Sequence, residues 1–214
     1  MHKLERFEAP ACLAKYQHGR DNWQTLNHKD RREIWQKIDT MQYKRCAYCE
    51  NTLEGNNQEK KAHLEHFRQR DRYPQGTFQW ANIFGSCNRE NSCGKHKDKQ
   101  PSYEHKDLIK MDVEDPEKFF LFIPDGTIAL RAKLSKQDKH RAKTTLKIFN
   151  LDSKHGSLRR IRENAIQGYL QTAEELLQMV NEFGIEECES LIQKELDEII
   201  HLPFSTAIKH TLMP

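Results

Sequence analysis

The sequence predicts an α+β fold in which N-terminal helices precede a cysteine-rich segment, a β-hairpin and a C-terminal helical lobe. Three patterns lead to this prediction: apolar residues at helical spacing before residue 42, two short apolar runs around residue 125, and sustained helical periodicity after Ser135. We expect two regions, residues 1–110 with the N-terminal helices and the cysteine-rich segment, and residues 111–214 with the hairpin and the helical lobe.

The N-terminal helices are predicted from residues 22–42, where apolar side chains recur at nearly helical spacing with charged residues between them. The apolar positions are Trp23, Leu26, Ile34, Trp35, Ile38 and Met41. We expect one or two amphipathic helices that brace the segment after them.

Charge is unevenly divided between the two regions. Residues 1–110 contain 21 Lys and Arg against 15 Asp and Glu, whereas residues 111–214 contain 14 against 17. A basic first region suits a polyanionic partner, although a bias of this size is common in other proteins too. The longest apolar run is Phe119–Ile123, so we expect no membrane segment or secretory signal, and a cytoplasmic protein.

Four of the six cysteines form two closely spaced pairs. Cys46 and Cys49 form a C-x2-C knuckle, and Cys87 and Cys93 are spaced C-x5-C. In a reducing compartment such pairs indicate metal ligands before disulfides, and four thiolates complete the tetrahedral shell of a structural Zn²⁺. The alternative is that they are ordinary buried cysteines.

The other two cysteines, Cys12 and Cys188, are isolated in the sequence. Cys188 falls on the apolar stripe of a predicted helix, and we expect both to be packing residues.

The β-hairpin is predicted at residues 119–131, because Asp125-Gly126 readily supplies the positive φ angles of a tight turn. Helical periodicity then extends from Leu158 to Phe183, where Gly184 acts as a helix stop. A further helix is predicted over 185–201, ended by Pro203.

The stretch His63-Leu64-Glu65-His66 lies between the two cysteine pairs and places two histidines beside a carboxylate, with Asn82 further along. Phosphodiester hydrolysis needs a base for water and a divalent cation that stabilises charge on phosphate. A histidine and an adjacent carboxylate can supply both functions.

The order C-x2-C, Glu-His, Asn and Cys…Cys, ending in residues 93–97, resembles the HNH endonucleases, whose core is a ββα-metal finger. The resemblance implies that His66 is the general base and that Glu65 and His96 bind a catalytic Mg²⁺ or Mn²⁺. It also implies that Asn82 fixes the loop after the first strand. Asn88 and Asn91 are alternatives to His96 as a ligand.

Within the HNH endonucleases, the chain also resembles the PtuB type. The shared stretches are residues 46–50, 65–68, 78–84, 86–88 and 151–162. Members of that subfamily act in Septu and some retron anti-phage systems with PtuA, an ABC-type ATPase. The resemblance therefore implies such an ATPase as partner, with a retron reverse transcriptase and its RNA and DNA as further candidates. The sequence contains no G-x-x-x-x-G-K-[ST] phosphate loop, so nucleotide use would come from the partner.

Basic residues flank the histidine segment on both sides. Arg68 and Arg70 follow it, and Lys95 and Lys97 follow the second cysteine pair. They are candidates for phosphate contacts beside the scissile bond. The alternative is a solvated charged surface.

Two other functions are compatible with parts of the pattern. A non-catalytic zinc-finger adaptor that binds nucleic acid or a protein explains the cysteines but leaves the Glu-His…Asn…His series without a role. A zinc-dependent nucleobase deaminase matches H-x-E at His63-Leu64-Glu65, but it requires P-C-x-x-C, and no proline precedes Cys87.

Overall fold

A computed structural model describes residues 1–55 and 61–213 of the chain. Over these residues the fold is α+β, with seven α-helices and two antiparallel two-stranded sheets. The helices are α1 (His28–Gln42), α2 (Cys93–Asp98), α3 (Lys136–Phe149), α4 (Ser157–Gln167), α5 (Leu170–Phe183), α6 (Ile185–Ile199) and α7 (Ser205–Leu212). The strands are β1 (Ala62–His66), β2 (Ile83–Cys87), β3 (Phe120–Phe122) and β4 (Ile128–Leu130).

The predicted N-terminal helical segment forms one α-helix, α1, preceded by a short 3₁₀ turn at Trp23–Thr25. The helix begins at His28 because the Asn27 side chain accepts a hydrogen bond from the backbone N–H of Asp30 and thereby caps it. Its buried stripe, which includes Ile34 and Ile38, packs against β2.

Strands β1 and β2 pair in antiparallel register, with Glu65 opposite Phe84 and His66 opposite Ile83. Strand β2 is buried along its whole length, and Gly85 permits its close approach to α1: a Cβ there would lie 2.8 Å from Ile38 Cγ2. Helix α2 follows β2 and packs on it, so the cysteine-rich segment has the order strand, strand, helix.

The β-hairpin predicted at residues 119–131 is confirmed by the pairing of β3 with β4. Gly126 has a φ of +79°, which the predicted turn requires. The Asp125 carboxylate accepts a hydrogen bond from Thr127 N–H at 2.9 Å and fixes the turn.

Helix α6 occupies most of the predicted range 185–201, and Gly184 separates it from α5 with a φ of +89°. The preceding periodic segment, expected as one run from Leu158 to Phe183, is two helices, because α4 ends at Gly168 and α5 begins after it. Helices α5, α6 and α7 share a small apolar core of their own, built on Leu176, Ile199, Ile208 and Leu212.

The main hydrophobic core draws residues from both predicted regions. Phe149 of α3 stacks on Tyr48 of the cysteine knuckle at a centroid distance of 4.1 Å, and Ile109 and Met111 are both fully buried in the same core. The core therefore crosses residue 110, and the division into two regions stays a prediction. None of the described helices is long and apolar enough to span a membrane.

Candidate active site and zinc cluster

The four predicted zinc ligands form one buried cluster. The sulfur atoms of Cys46, Cys49, Cys87 and Cys93 all lie within 4.8 Å of one another, and the Sγ atoms of Cys49 and Cys87 are 3.9 Å apart. Thiolates around a tetrahedral Zn²⁺ are separated by roughly 3.8 Å, because each Zn–S bond is about 2.3 Å. The arrangement thus fits a structural zinc with no open position.

Three separate segments deliver these ligands. Cys46 and Cys49 lie in a tight turn after α1, closed by a 3.0 Å bond from Glu50 N–H to the Cys46 carbonyl. Cys87 is the last residue of β2, and Cys93 is the first residue of α2. Burial opposes ionisation of Cys46, but hydrogen bonds from the other three thiols outweigh it and lower the pKa of Cys46 well below its usual value.

His66, the predicted general base, is the last residue of β1 and is 6% exposed. Its Nε2 lies 2.9 Å from the carbonyl oxygen of Thr77. Because a carbonyl accepts but does not donate, Nε2 carries the proton of the neutral ring and Nδ1 has the lone pair. Burial lowers the pKa of His66 to about 4, so this neutral form prevails at neutral pH. The indole of Trp23 covers one side of the ring.

Glu65 precedes His66 and is almost fully buried, with a lysine and a histidine against its carboxylate. Lys97 Nζ is 2.7 Å from Oε1, and His63 Nε2 is 3.2 Å from Oε2. Burial opposes ionisation, but the charge of Lys97 and the hydrogen bond from His63 outweigh it and lower the pKa of Glu65. The carboxylate is therefore ionised and held in place.

Lys97 does not form part of a phosphate-binding surface, so that prediction is wrong for this residue. Its side chain is fully buried, and its Nζ donates to the His66 carbonyl oxygen at 2.8 Å as well as pairing with Glu65. In helix α2, residues two apart point in nearly opposite directions, which turns Lys97 inward while Lys95 and Lys99 stay outside. The two outer lysines pair with Glu90 at 2.5 and 2.9 Å.

His96 lies on α2, but its ring faces α3, where Nδ1 is 2.9 Å from the carbonyl oxygen of Ile148. The structure therefore does not bring His96 together with Glu65. Of the two alternatives, Asn88 is linked to the carboxylate through His63: its Oδ1 is 3.0 Å from Nδ1 of that histidine, whose Nε2 contacts Glu65. Asn91 contacts the Asn150 side chain through its backbone carbonyl.

Asn82 holds the loop after β1 through its side chain and its backbone carbonyl. Its side chain accepts from Arg68 N–H at 2.7 Å and donates to the carbonyl oxygens of Arg68 and Gly76 at 3.1 and 3.2 Å. Its backbone carbonyl accepts from Phe67 N–H at 2.9 Å. These bonds join the loop to the start of β2 and place Thr77 beside the His66 ring.

The two predicted phosphate-binding arginines lie on aromatic rings near His66. The Arg68 guanidinium is 4.7 Å from the ring centroid of Tyr73, and that of Arg70 is 5.9 Å from Trp23. Arg70 is exposed, and its charge is one of the smaller contributions that lower the pKa of His66. A cationic rim beside His66 is thus present.

Sequence reasoning left His63 open between a functional role and one that only packs or orients the finger, and it missed Thr77 and Trp23 as partners of His66. In the structure His63 shares a face of β1 with Glu65, because side chains two residues apart on a strand point the same way. Thr77 and Trp23 left no comparable signal, since their contacts with His66 form between segments that are distant in sequence.

The arrangement also bears on the deaminase alternative. That chemistry needs one zinc shared by His63 and two cysteines. In the structure Cys87 clusters with the three other cysteines, whereas His63 contacts Glu65 and Asn88. The described residues therefore do not assemble a deaminase ligand set.

No protein-family model matches this chain, and no curated protein matches it. A functional assignment therefore depends on the site geometry and on the sequence motifs that resemble HNH endonucleases.

Proposed function

We propose that this chain is a metal-dependent HNH-type endonuclease that hydrolyses phosphodiester bonds of nucleic acid. The observation that carries the proposal is the orientation of His66. Its Nε2–H is engaged by the Thr77 carbonyl, so Nδ1 is the ring nitrogen that can accept a proton from water. The adjacent Glu65 and the following strand and helix supply the remaining parts of a ββα-metal site.

In this proposal each group has a separate role. The four cysteines would hold a zinc that fixes the ends of the segment and takes no part in the reaction, because four thiolates would leave it no open position. Glu65 would help to hold a Mg²⁺ or Mn²⁺, which supplies charge stabilisation on the phosphate when bound. Asn82 keeps the loop in register, and Arg68 and Arg70 would contact flanking phosphates.

Two contacts within the site would also restrain the nuclease activity of the isolated chain. Trp23 covers the His66 ring, and Lys97 neutralises the carboxylate that would bind the cation. We therefore expect low activity of the isolated chain, and activation within a complex.

For the partner we propose a PtuA-type ABC ATPase, with anti-phage defence in the cytoplasm as the setting and a retron reverse transcriptase with its RNA and DNA as a further component. The proposed docking surface is the hairpin of α5 and α6, which contains nine Asp and Glu and one Lys. Phe183 and Ile185 are more than half exposed at its tip. An apolar patch with an acidic surround suits a partner with apolar and basic side chains.

The test incubates the purified chain, with and without the ATPase, with DNA, total RNA and tRNA in Mg²⁺, Mn²⁺ or EDTA. We expect cation-dependent cleavage that His66→Ala reduces by roughly 100-fold or more, because a general base contributes that much. Zinc content should match that of the wild type, and the melting temperature should fall only modestly, because the variant leaves a cavity beside Trp23 but keeps the cysteine cluster. Full cleavage by His66→Ala would refute the assignment.

A non-catalytic zinc-finger adaptor is the second candidate. Two contacts favour it: Lys97 neutralises Glu65, and Trp23 covers His66. In a purely structural site all charged and polar groups would be paired within the protein in this way, with none left for a substrate. An adaptor would bind its partner equally well with or without His66→Ala, and the wild type would cleave nothing under any condition above.

A further inference from the structure

A polar cleft of about 380 Å³ lies between the loop that joins β2 to α2 and the start of α4. Residues 89–92 line one side, and Asn150 and residues 155–158 line the other. The register of β1 and β2 pairs Ala62 with Cys87, just before this loop, and His66 with Ile83. The loop is therefore at the opposite end of the strand pair from His66, and the cleft is separate from the proposed active site.

Helix α4 begins without an acceptor for its first backbone N–H groups. Its N-cap residue is Gly156, which has no side chain to cap the helix, and its first turn contains no acidic residue. The first N–H groups of a helix lack intrahelical partners and form the positive end of the helix dipole, so they attract anions. Ser157, the first helical residue, lines the cleft, so these N–H groups border it.

An independent sign of a ligand is a buried hydroxyl on the loop side of the cleft. Ser92 lines the cleft but is only 5% exposed. Its hydroxyl does not cap α2, and it has no hydrogen-bond partner within residues 1–55 and 61–213. Because a buried polar group without a partner is unfavourable, this hydroxyl indicates that a polar ligand enters the cleft.

Arg89 supplies positive charge to the same cleft. Its Nη1 donates to Ser157 Oγ at 3.1 Å, which holds the guanidinium beside the start of α4. Its Nε is buried without a partner, and no carboxylate in the described part of the chain lies within ion-pair distance of it. Glu90 also lines the cleft, but Lys95 and Lys99 neutralise it at 2.5 and 2.9 Å. The unpaired charge among the lining residues is therefore positive.

We propose that this cleft binds a backbone phosphate of a nucleic-acid strand through the first N–H groups of α4, Arg89 and the Ser92 hydroxyl. Helix N-termini, guanidinium groups and hydroxyls are donors that phosphate oxygens accept. His155 is the single ring among the lining residues, so a nucleobase finds no aromatic platform, and a phosphate within a strand fits better than a free nucleotide. The inference rests on the proposed nuclease function for the identity of the strand.

The experiment measures the affinity for labelled single-stranded DNA, duplex DNA and RNA by fluorescence anisotropy, over a salt series without Mg²⁺ or Mn²⁺. Ser157→Asp is the main variant, because its carboxylate would occupy the anion position beside Arg89. An acidic residue in the first turn stabilises a helix, so the melting temperature should stay the same or rise while the affinity falls by roughly tenfold. Arg89→Gln should reduce the slope of log affinity against log salt by about one.

Ser190→Asp is the matched control, because it adds the same charge at an exposed serine of α6, outside the cleft. It should bind the strands like the wild type. An equal loss in Ser190→Asp, unchanged affinity of Ser157→Asp for every strand, or no strand bound by the wild type would overturn the inference. Calorimetric titration with AMP and inorganic phosphate tests the other sources: binding of either that Ser157→Asp abolishes, with strand affinity unchanged, would make this a site for a free phosphate compound.

Cleavage assays with Mg²⁺ or Mn²⁺ on the same samples separate this inference from the proposed function. A strand that binds through the cleft but is cleaved under no condition refutes the nuclease alone. Cleavage by a chain whose strand affinity does not respond to Ser157→Asp refutes the phosphate site alone.

Discussion

The Trp23 indole lies edge-on against the His66 imidazole, with ring centroids 4.4 Å apart and planes at 81°. Trp23 reaches this position from the 3₁₀ turn that precedes α1, whereas His66 ends β1. The contact removes the imidazole from water, and this burial is the main cause of its lowered pKa.

His66 should therefore stay neutral, with its proton on Nε2, down to about pH 5, since its pKa is about 4. The unfolded chain takes up this proton near pH 6.5. The free energy of unfolding should consequently fall by up to about 3 kcal/mol as the pH drops from 6.5 to 4. Above pH 7 His66 is neutral in both states, so it should add no pH dependence to the free energy of unfolding. Nitrogen chemical shifts of the ring report the tautomer.

The same measurement on Trp23→Ala should show the pKa of His66 moving up toward 6.5, because the ring gains water. An imidazolium signal in the wild type at pH 6 would contradict the buried tautomer.

Removal of zinc should unfold the cysteine-rich segment. Structural zinc sites contribute on the order of 10 kcal/mol of apparent binding free energy. The segment has few aliphatic side chains whose burial could stabilise it without the metal. We expect Cys46→Ser to lose its bound zinc and to show the circular dichroism spectrum of a partly unfolded chain. Cys188→Ser is the control, since Cys188 is buried on α6 away from the cluster, and it should keep one zinc per chain. Zinc retention by Cys46→Ser would refute the ligand set.

Lys97→Met should destabilise the fold by about 3–5 kcal/mol, because it leaves the buried Glu65 carboxylate without its closest cation. Lys95→Met, which removes a surface ion pair with Glu90, should cost less than about 1 kcal/mol. Urea unfolding at pH 7 with zinc present measures both.

The double variant Glu65→Gln with Lys97→Met should recover part of the loss, because the buried charge is gone. Equal effects of Lys97→Met and Lys95→Met would contradict the buried ion pair.

Arg70→Ala should weaken nucleic-acid binding and reduce the slope of log affinity against log salt by about one, as expected for one lost phosphate contact. Lys99→Ala is the comparison, and its effect should be smaller because Glu90 already neutralises Lys99. Fluorescence anisotropy over a salt series measures the slope. An unchanged slope for Arg70→Ala would remove this residue from the interface.

The tip of the α5–α6 hairpin should bind the ATPase. Replacing Phe183 and Ile185, which are 59% and 58% exposed, with Asp should reduce copurification by roughly tenfold without a change in melting temperature. Val113→Asp changes an equally apolar side chain that is 68% exposed but lies outside the hairpin. Equal copurification of both variants would place the interface elsewhere.

Local sequence was enough for several features. Asp125-Gly126 predicted the hairpin because its turn needs a positive φ that glycine adopts freely. The spacing of the cysteines predicted the ligand set, because thiol pairs of this kind converge on one ion. The resemblance implied that Asn82 fixes its loop, and in the structure its side chain makes three hydrogen bonds to that loop.

Side-chain direction was decided by the tertiary structure. Alternating lysines in the sequence gave no reason to distinguish Lys97 from Lys95, but the helical turn of α2 aims Lys97 at Glu65. His96 faces α3 because α2 packs on that helix, which follows it by dozens of residues.

The sequence by itself thus determined the kinds of chemical group in this segment and the turns that bring them close, because spacing and backbone preference act locally. The tertiary structure decided which groups meet. Contacts such as Trp23 with His66, or Lys97 with Glu65, depend on how separate segments pack. Burial together with the hydrogen bonds and charges that these contacts bring then sets the charge and the tautomer of each group.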